Sequence, residues 1–246
     1  LNLDTAIVRC VGDATGVIDA MATGGLGNYL YTLRDASNNI LAGPQASGYF
    51  EGLIAGTYFV FVTSGDCELL SPPIVITEPQ NPLIIVNSEF NNISCDGQLD
   101  GRIMVEASGG TGVIKYAISP NLNQFDTVNE FTGLAPGNYQ VLVQDEAGCY
   151  IIPLDFTIIQ PDPVAATANV TNPIICNDAS DGTIEVVITG GTAPYFTSLN
   201  TQDDANFVQD QFIFTDLAGG QTYVIFVKDS AGCETNVIVE LGAAPS

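Results

Sequence analysis

The feature that most constrains this chain is that it repeats itself three times. Six cysteines fall into three pairs, Cys10 and Cys67, Cys95 and Cys149, Cys176 and Cys233, spaced by 57, 54 and 57 positions. The first cysteines recur after 85 and then 81 residues. A Gly-Gly pair begins fourteen positions after each of them, at Gly24-Gly25, Gly109-Gly110 and Gly190-Gly191. Each second cysteine follows a matched run, Gly56-Thr57-Tyr58, Gly137-Asn138-Tyr139 and Gln221-Thr222-Tyr223, that continues as apolar alternation. Such self-similarity marks a tandem array. The units read as 1–80, 81–162 and 163–246, joined at Glu78-Pro79-Gln80-Asn81-Pro82 and Gln160-Pro161-Asp162-Pro163. Proline fixes φ and holds the residue before it extended, so the junctions are expected to be stiff.

Inside a unit the apolar period is two. Tyr58, Val60 and Val62 share one face, matched by Tyr139, Val141, Val143 and by Tyr223, Ile225, Val227. After the Gly-Gly turn a second alternating strand carries Tyr29, Tyr31, Leu33, matched by Ile114, Tyr116, Ile118 and by Tyr195, Thr197, Leu199. Short β-branched and aromatic runs broken by Gly, Asn, Asp and Pro predict a sandwich of roughly seven strands. The expected fold class is all-β, three tandem immunoglobulin-like β-sandwich repeats.

A cysteine at the start and near the end of every unit reads as one disulfide per unit. In the chain-entropy picture, closing such a loop contributes about 4 kcal/mol, a large gain for so small a sandwich. The alternative is six small buried thiols; a cysteine metal site has no CxxC spacing here. Disulfides imply export. The chain carries 28 acidic and 5 basic residues, a net charge of −23, and no histidine. Few, scattered cations exclude nucleic-acid binding. The missing histidine removes Ser-His-Asp and Cys-His catalysis. Apolar runs are too short to span a bilayer, and no leader opens the chain, which reads as an internal or processed piece of something longer.

The composite pattern C-x(4)-D-G-x-I-x-V-x-x-x-G-G, then L-x-x-G-x-Y-x-V-x-V-x-D-x-x-G-C, stands most fully as Cys95, Asp100-Gly101, Gly109-Gly110, Leu134, Gly137, Tyr139, Asp145 and Gly148-Cys149. This resembles the SprB repeat family of large surface adhesins of gliding Bacteroidetes, exported by the type IX secretion system. Family members often carry Trp after Gly-Gly, where this chain has Leu33, Ile118 and Leu199. The resemblance implies an extracellular, cell-surface filament segment acting in gliding motility and attachment.

Two acidic positions recur: Asp100 and Asp181 after the first cysteine, Asp145 and Asp229 after the strand tyrosine. In the first unit both change together, to Thr15 and Ser64. If the within-unit disulfide forms, it draws these loops to one pole, where the carboxylates suit Ca²⁺, with Asp96 and Asp178 as further ligands. The other reading is Asx-turn capping of nearby backbone N–H groups. Glycosidase-type catalysis is a poor fit, since small repeated units leave no room for a deep cleft. Asp4-Thr5-Ala6, Asp126-Thr127-Val128 and Asp229-Ser230-Ala231 match a short O-glycosylation motif, pointing to Thr5, Thr127 and Ser230. The functional expectation is a structural and adhesive repeat segment, not an enzyme, whose partners are neighbouring repeats of the same long chain and surface polysaccharide. The alternative is a set of carbohydrate-binding modules, for which Phe59, Phe196 and Phe226 are the outward aromatics that would stack sugars or cover a neighbouring domain.

Overall fold

Alternation in sequence becomes alternation in burial. The computed structural model describes residues 1–174 and 180–243. Repeat 1 forms β1 (Asn2–Ala6), β2 (Gly16–Met21), β3 (Leu30–Asp35), β4 (Ile40–Gln45), β5 (Tyr49–Leu53), β6 (Gly56–Ser64), β7 (Cys67–Leu70) and β8 (Ile74–Ile76). Repeat 2 forms β9 (Ile84–Asn91), β10 (Gly101–Ser108), β11 (Lys115–Ile118), β12 (Glu130–Leu134), β13 (Gly137–Gln144) and β14 (Tyr150–Ile158). Repeat 3 forms β15 (Ala165–Asn172), β16 (Gly182–Thr189), β17 (Tyr195–Leu199), β18 (Val208–Gln209), β19 (Ile213–Leu217), β20 (Gln221–Asp229) and β21 (Glu234–Leu241). Among the described residues the only helix is one 3₁₀ turn, Asp204–Asn206.

Each repeat contributes two sheets, and every strand pairing in them is antiparallel where its register is given. The orders are β1-β2-β5 and β4-β3-β6-β7 with β8 also on β6, then β12-β10-β9 and β11-β13-β14, then β15-β16-β19 and β18-β17-β20-β21. The fold is all-β, built of immunoglobulin-like sandwich repeats. The chain gathers into two compact units, Leu1–Ser88 with Val105–Asn129 and Gln140–Asp155, and Glu89–Met104 with Glu130–Tyr139 and Phe156–Ser246. Repeat 2 therefore gives strands to both.

The inward faces are those the alternation picks out. Val60, Val141 and Ile225 are fully buried, as are Ile18, Ile103 and Ile184 on the opposite sheets' central strands. Tyr58, Tyr139 and Tyr223 donate their hydroxyls to backbone oxygens of Ile54, Ala135 and Ala218 at 2.9, 3.0 and 2.9 Å. This is the tyrosine corner of immunoglobulin-type sandwiches, pinning the crossover between sheets. Repeats 2 and 3 close with one long strand, whereas repeat 1 splits it at Pro72-Pro73, which have no N–H to offer the ladder. Buried Ser71 fills the gap, its Oγ accepting from Val60 N at 2.9 Å.

Candidate functional site

The cysteines do not pair within repeats. Cys10 of repeat 1 bonds Cys149 of repeat 2, and Cys95 of repeat 2 bonds Cys233 of repeat 3, each with Cα atoms 5.5 Å apart. Cys67 is free and exposed; Cys176 lies outside the described residues. The expectation of one bridge per unit is thus corrected. In repeat 1, Val8 N donates to Thr77 O, beside the Gly56↔Ile76 pair, so Cys10 belongs to the end of β6 where the chain leaves. Cys67 pairs with Ser64 at the other end of the same strand. Eight residue steps at about 3.3 Å put the two ends about 26 Å apart, far beyond the Cα reach of a disulfide. The first cysteine marks the exit pole of a repeat and the second its entry pole, so only the exit of one can meet the entry of the next.

The proline junctions are fastened in the same register. At the exit, Glu78 Oε2 accepts from Gly12 N at 2.7 Å, and Gln160 Nε2 donates to Asp96 Oδ1 at 2.8 Å. At the entry, Gly110 N donates to Asn81 O and Gly191 N to Asp162 O, both at 2.9 Å. Gly109 and Gly190, at φ +82° and +68°, lie against the linker so closely that an added Cβ would fall within 3 Å of Pro82 O or Pro163 O. The Gly-Gly pair is therefore a cradle for the incoming proline linker as well as a turn needing left-handed φ.

The recurrent acidic positions divide into two separate tasks. Asp100 accepts from Ser94 N at 3.0 Å and from its hydroxyl, bracing the loop around Cys95; Thr15 Oγ1 does the same for Arg9 N at 3.2 Å. The Ser94 hydroxyl, then its N–H, hold the Asp100 carboxyl below its ordinary value. Asp145, buried, takes Thr111 N and Cys149 N at 2.8 Å each. Asp229, also buried, takes Thr192 N, Ala231 N and Cys233 N at 2.8–2.9 Å. Ser64 Oγ accepts from Leu26 N at 3.0 Å, so it too ties the Gly-Gly turn to the closing hairpin. The substituted positions of repeat 1 keep an oxygen acceptor for the equivalent N–H. Carboxylates spent on backbone donors form caps, a poor fit to a Ca²⁺ ligand shell. Among the described residues no three Asp, Glu or Cys side chains cluster as metal ligands. Asp181 is exposed, and its carbonyl accepts from Asn172 Nδ2 at 2.7 Å; Asp178 lies outside the described residues.

Thr5, Thr127 and Ser230 are exposed. The Ser230 hydroxyl is engaged with Thr192 O at 2.8 Å, whereas Thr5 receives only a backbone contact, its N–H donating to Asp4 Oδ1 at 2.9 Å. Phe59, Phe196 and Phe226 are half-buried. A groove of about 730 Å³ opens beside β5 of repeat 1, lined by Leu41, Tyr49 and Tyr58 with Asp35, Gln45 and Glu51. Its counterpart in repeat 3, around Leu199, Ile213 and Phe214, holds about 350 Å³. No helix of the described residues is long and apolar enough to cross a membrane.

Sequence comparison with curated proteins gives no match. Solved structures that resemble the chain include the three N-terminal domains of the bacteriophage RB49 outer capsid protein Hoc, at 14% identity and TM-score 0.37 over 99% of this chain and 96% of that one. Titin I-band fragment I67–I69 follows at 10% identity and TM-score 0.36 over 100% and 98%. The FN1–FN3 domains of chicken CNTN1 stand at 12% identity and TM-score 0.31 over 97% of each chain. The SprB repeat family matches residues 5–38, 87–123 and 168–203, stretches that each hold the first cysteine and the Gly-Gly cradle of a unit. The chain is thus similar to SprB repeats at three places, once in each of its units.

Proposed function

We propose that the chain is a load-bearing segment of a large cell-surface adhesin filament, exported by a type IX route and used in gliding motility and surface attachment. The observation that carries this reading is the disulfide pattern. A bridge inside a repeat protects only that repeat, whereas Cys10–Cys149 and Cys95–Cys233 couple consecutive repeats through their covalent chain. Disulfides also fit a protein that works outside the cytoplasm. In a solenoid-like array each repeat deals with its neighbours alone, and here that neighbour contact is made covalent. The role is mechanical, carried by the cysteines, the cradle glycines and the corner tyrosines, with no reaction attached to it.

The test is made in the parent adhesin, by replacing Cys10 and Cys95 with serine in the cell that bears it. Surface display, followed by antibody labelling, is expected to persist, while attachment under shear flow and spreading are lost. Undiminished attachment under flow would overturn the load-bearing reading. A second reading, carbohydrate-binding modules, draws on the repeat 1 groove, where half-exposed Tyr49 stands among Asp35, Gln45 and Glu51. Saturable binding on a glycan array, abolished by Tyr49→Ala, would favour it.

A further inference from the structure

The entry poles of repeats 2 and 3 are both occupied, and by the same two things. The cradle glycines hold the linker from the preceding repeat, and the second cysteine holds that repeat's first cysteine. Repeat 1 carries the same pole with both elements vacant. Gly24, at φ +89°, has nothing within 4 Å of an added Cβ, although Gly109 and Gly190 at its position are pressed by linker carbonyls. Gly25 meets only Ser64, the residue that ties this turn to the hairpin of Cys67. Cys67 stands exposed and unbonded at the position of Cys149 and Cys233. The hairpin is already set: Ser64 pairs with Cys67 as Asp145 and Asp229 hold Cys149 and Cys233.

We infer that Gly24, Gly25 and Cys67 form a docking site for the exit end of another repeat of this kind joined ahead of Leu1, whose proline linker lies on the glycines and whose first cysteine bonds Cys67. Two independent features point to that occupant, an empty cradle shaped for an extended linker and a thiol in a position bonded twice elsewhere in the chain. The bond forms by thiol–disulfide exchange with a small-molecule disulfide such as oxidised glutathione. Cys67 and the incoming cysteine give up two electrons and their two thiol protons. The oxidant's S–S bond breaks to two thiols, which take up both, and the new S–S bond closes. Once closed, the 28 residues from Cys67 to Cys95 (95 − 67) would connect the staple ahead of repeat 1 to the staple joining repeats 2 and 3. The array would then be interlocked along its length. This inference rests on the repeat register and not on the adhesin role, so the two fail separately.

The test extends the full chain at its N-terminus with a second copy of residues 81–166, which supplies a repeat with the Cys95-type cysteine and sets its Pro163 27 residues ahead of Gly24, the spacing from Pro82 to Gly109 and from Pro163 to Gly190. The protein is refolded in a glutathione redox mixture and mapped by non-reducing peptide mass spectrometry. The expected result is a new linked pair between Cys67 and the copied Cys95, with Cys67 closed to alkylation under native conditions although it reacts in the unextended chain. Gly24→Ala in the extended chain should suppress that pair. Gly27→Ala should not, because Gly27 has equally open space and positive φ but no counterpart in the cradle. Cys67 left alkylatable while Cys10–Cys149 and Cys95–Cys233 appear in the same digest overturns the inference, as does Cys67 joined to Cys67 of a second molecule. Equal behaviour of the two glycine variants overturns the cradle. The unextended Gly24→Ala chain, checked for both native disulfides, separates a docking defect from a folding defect.

Discussion

Pulling the chain from its ends reads the disulfide pattern directly. The two staples create two covalent nodes, Cys10 with Cys149 and Cys95 with Cys233. Three chain segments run between them in parallel, of 85 (95 − 10), 54 (149 − 95) and 84 (233 − 149) residues. The shortest sets the limit, so an oxidised chain with every strand torn out spans about 190 Å between nodes at about 3.5 Å per residue. Full reduction releases 223 residues (233 − 10), or about 780 Å on the same scale. Cys10→Ser leaves the 85-residue path as the shortest, a gain of about 110 Å over the native limit. Cys67→Ser changes nothing, because Cys67 bonds nothing in this chain. Optical-tweezer contour lengths with and without reductant measure all four states, and the handles add the same terminal residues to each. Bridges inside each repeat would give nearly the native limit, with 28 (95 − 67) and 27 (176 − 149) residues between them, so wild type alone does not discriminate. The substitutions do. If Cys67→Ser lengthened the oxidised chain, or Cys10→Ser released 112 residues (57 + 28 + 27) instead of 85, the cross-repeat staples would be refuted. Each staple closes a loop of 138 or 139 residues, which the chain-entropy picture values at about 5 kcal/mol, so the Cys10→Ser chain should also unfold at lower denaturant.

Removing a corner hydroxyl, as in Tyr139→Phe, is expected to cost about 1 kcal/mol by urea denaturation, and a neutral result would remove the corner from the list of supports. Asp145→Ala leaves at least two backbone donors unpaired and is expected to cost about 1–3 kcal/mol; Asp145→Ser, the residue type repeat 1 uses at Ser64, should recover part of that loss, and equal losses would contradict the shared role. Thermal melts in EDTA and in millimolar Ca²⁺ should coincide if the carboxylates are caps, while a rise of several degrees, lost in Asp145→Asn, would make them ligands. Because the Asp100 carboxyl is held below its ordinary value by Ser94, its contribution is complete above the usual carboxylate range and is lost as pH falls through the folded value. Protection from hydrogen exchange around Cys95, taken relative to the intrinsic rate at each pH, should therefore fall below about pH 4, whereas the Arg9–Thr15 loop, braced by a hydroxyl, should not respond in step.

The inward faces were legible because a strand's period of two forces a choice of side. Val60, Val141 and Ile225 alternate with half-buried or exposed neighbours in sequence and in space. The cradle glycines were legible as turns, but not as linker contacts, since φ > 0 explains Gly109 and Gly190 without reference to Pro82 or Pro163. Disulfide pairing was not legible, and the reason is geometric. Spacing along the chain shows that two cysteines share a repeat, but only the strand between them shows that they sit at opposite poles. That strand, Gly56–Ser64, was visible; its length multiplied by the rise per residue already argued against Cys10 meeting Cys67. The paired change of Asp to Thr15 and Ser64 suggested one shared task, yet the two positions brace different loops. What they share is conservative replacement of one oxygen acceptor by another.

A shift of one repeat in disulfide partners changes what an array is. With bridges inside each sandwich, tension passes through every junction by a single strand of polypeptide, with no second covalent path beside it. With the exit of one repeat bonded to the entry of the next, the span between nodes is carried by three strands in parallel, and no linker is alone under load. The same shift places the Pro79 and Pro161 junctions inside closed loops, with Gly12 and Asn81 tied at the two ends of the first and Asp96 and Asp162 at the two ends of the second. Force applied at the ends meets β1 and β21 first, since they lie outside the two nodes; once they are drawn out, the staples hold the span between nodes to its shortest segment. The price in folding is that Cys10 waits for a partner 139 residues later in the chain, so the staple can close only after repeat 2 has formed its closing hairpin. Oxidation should therefore trail folding by one repeat, with mixed thiol states confined to the repeat most recently completed.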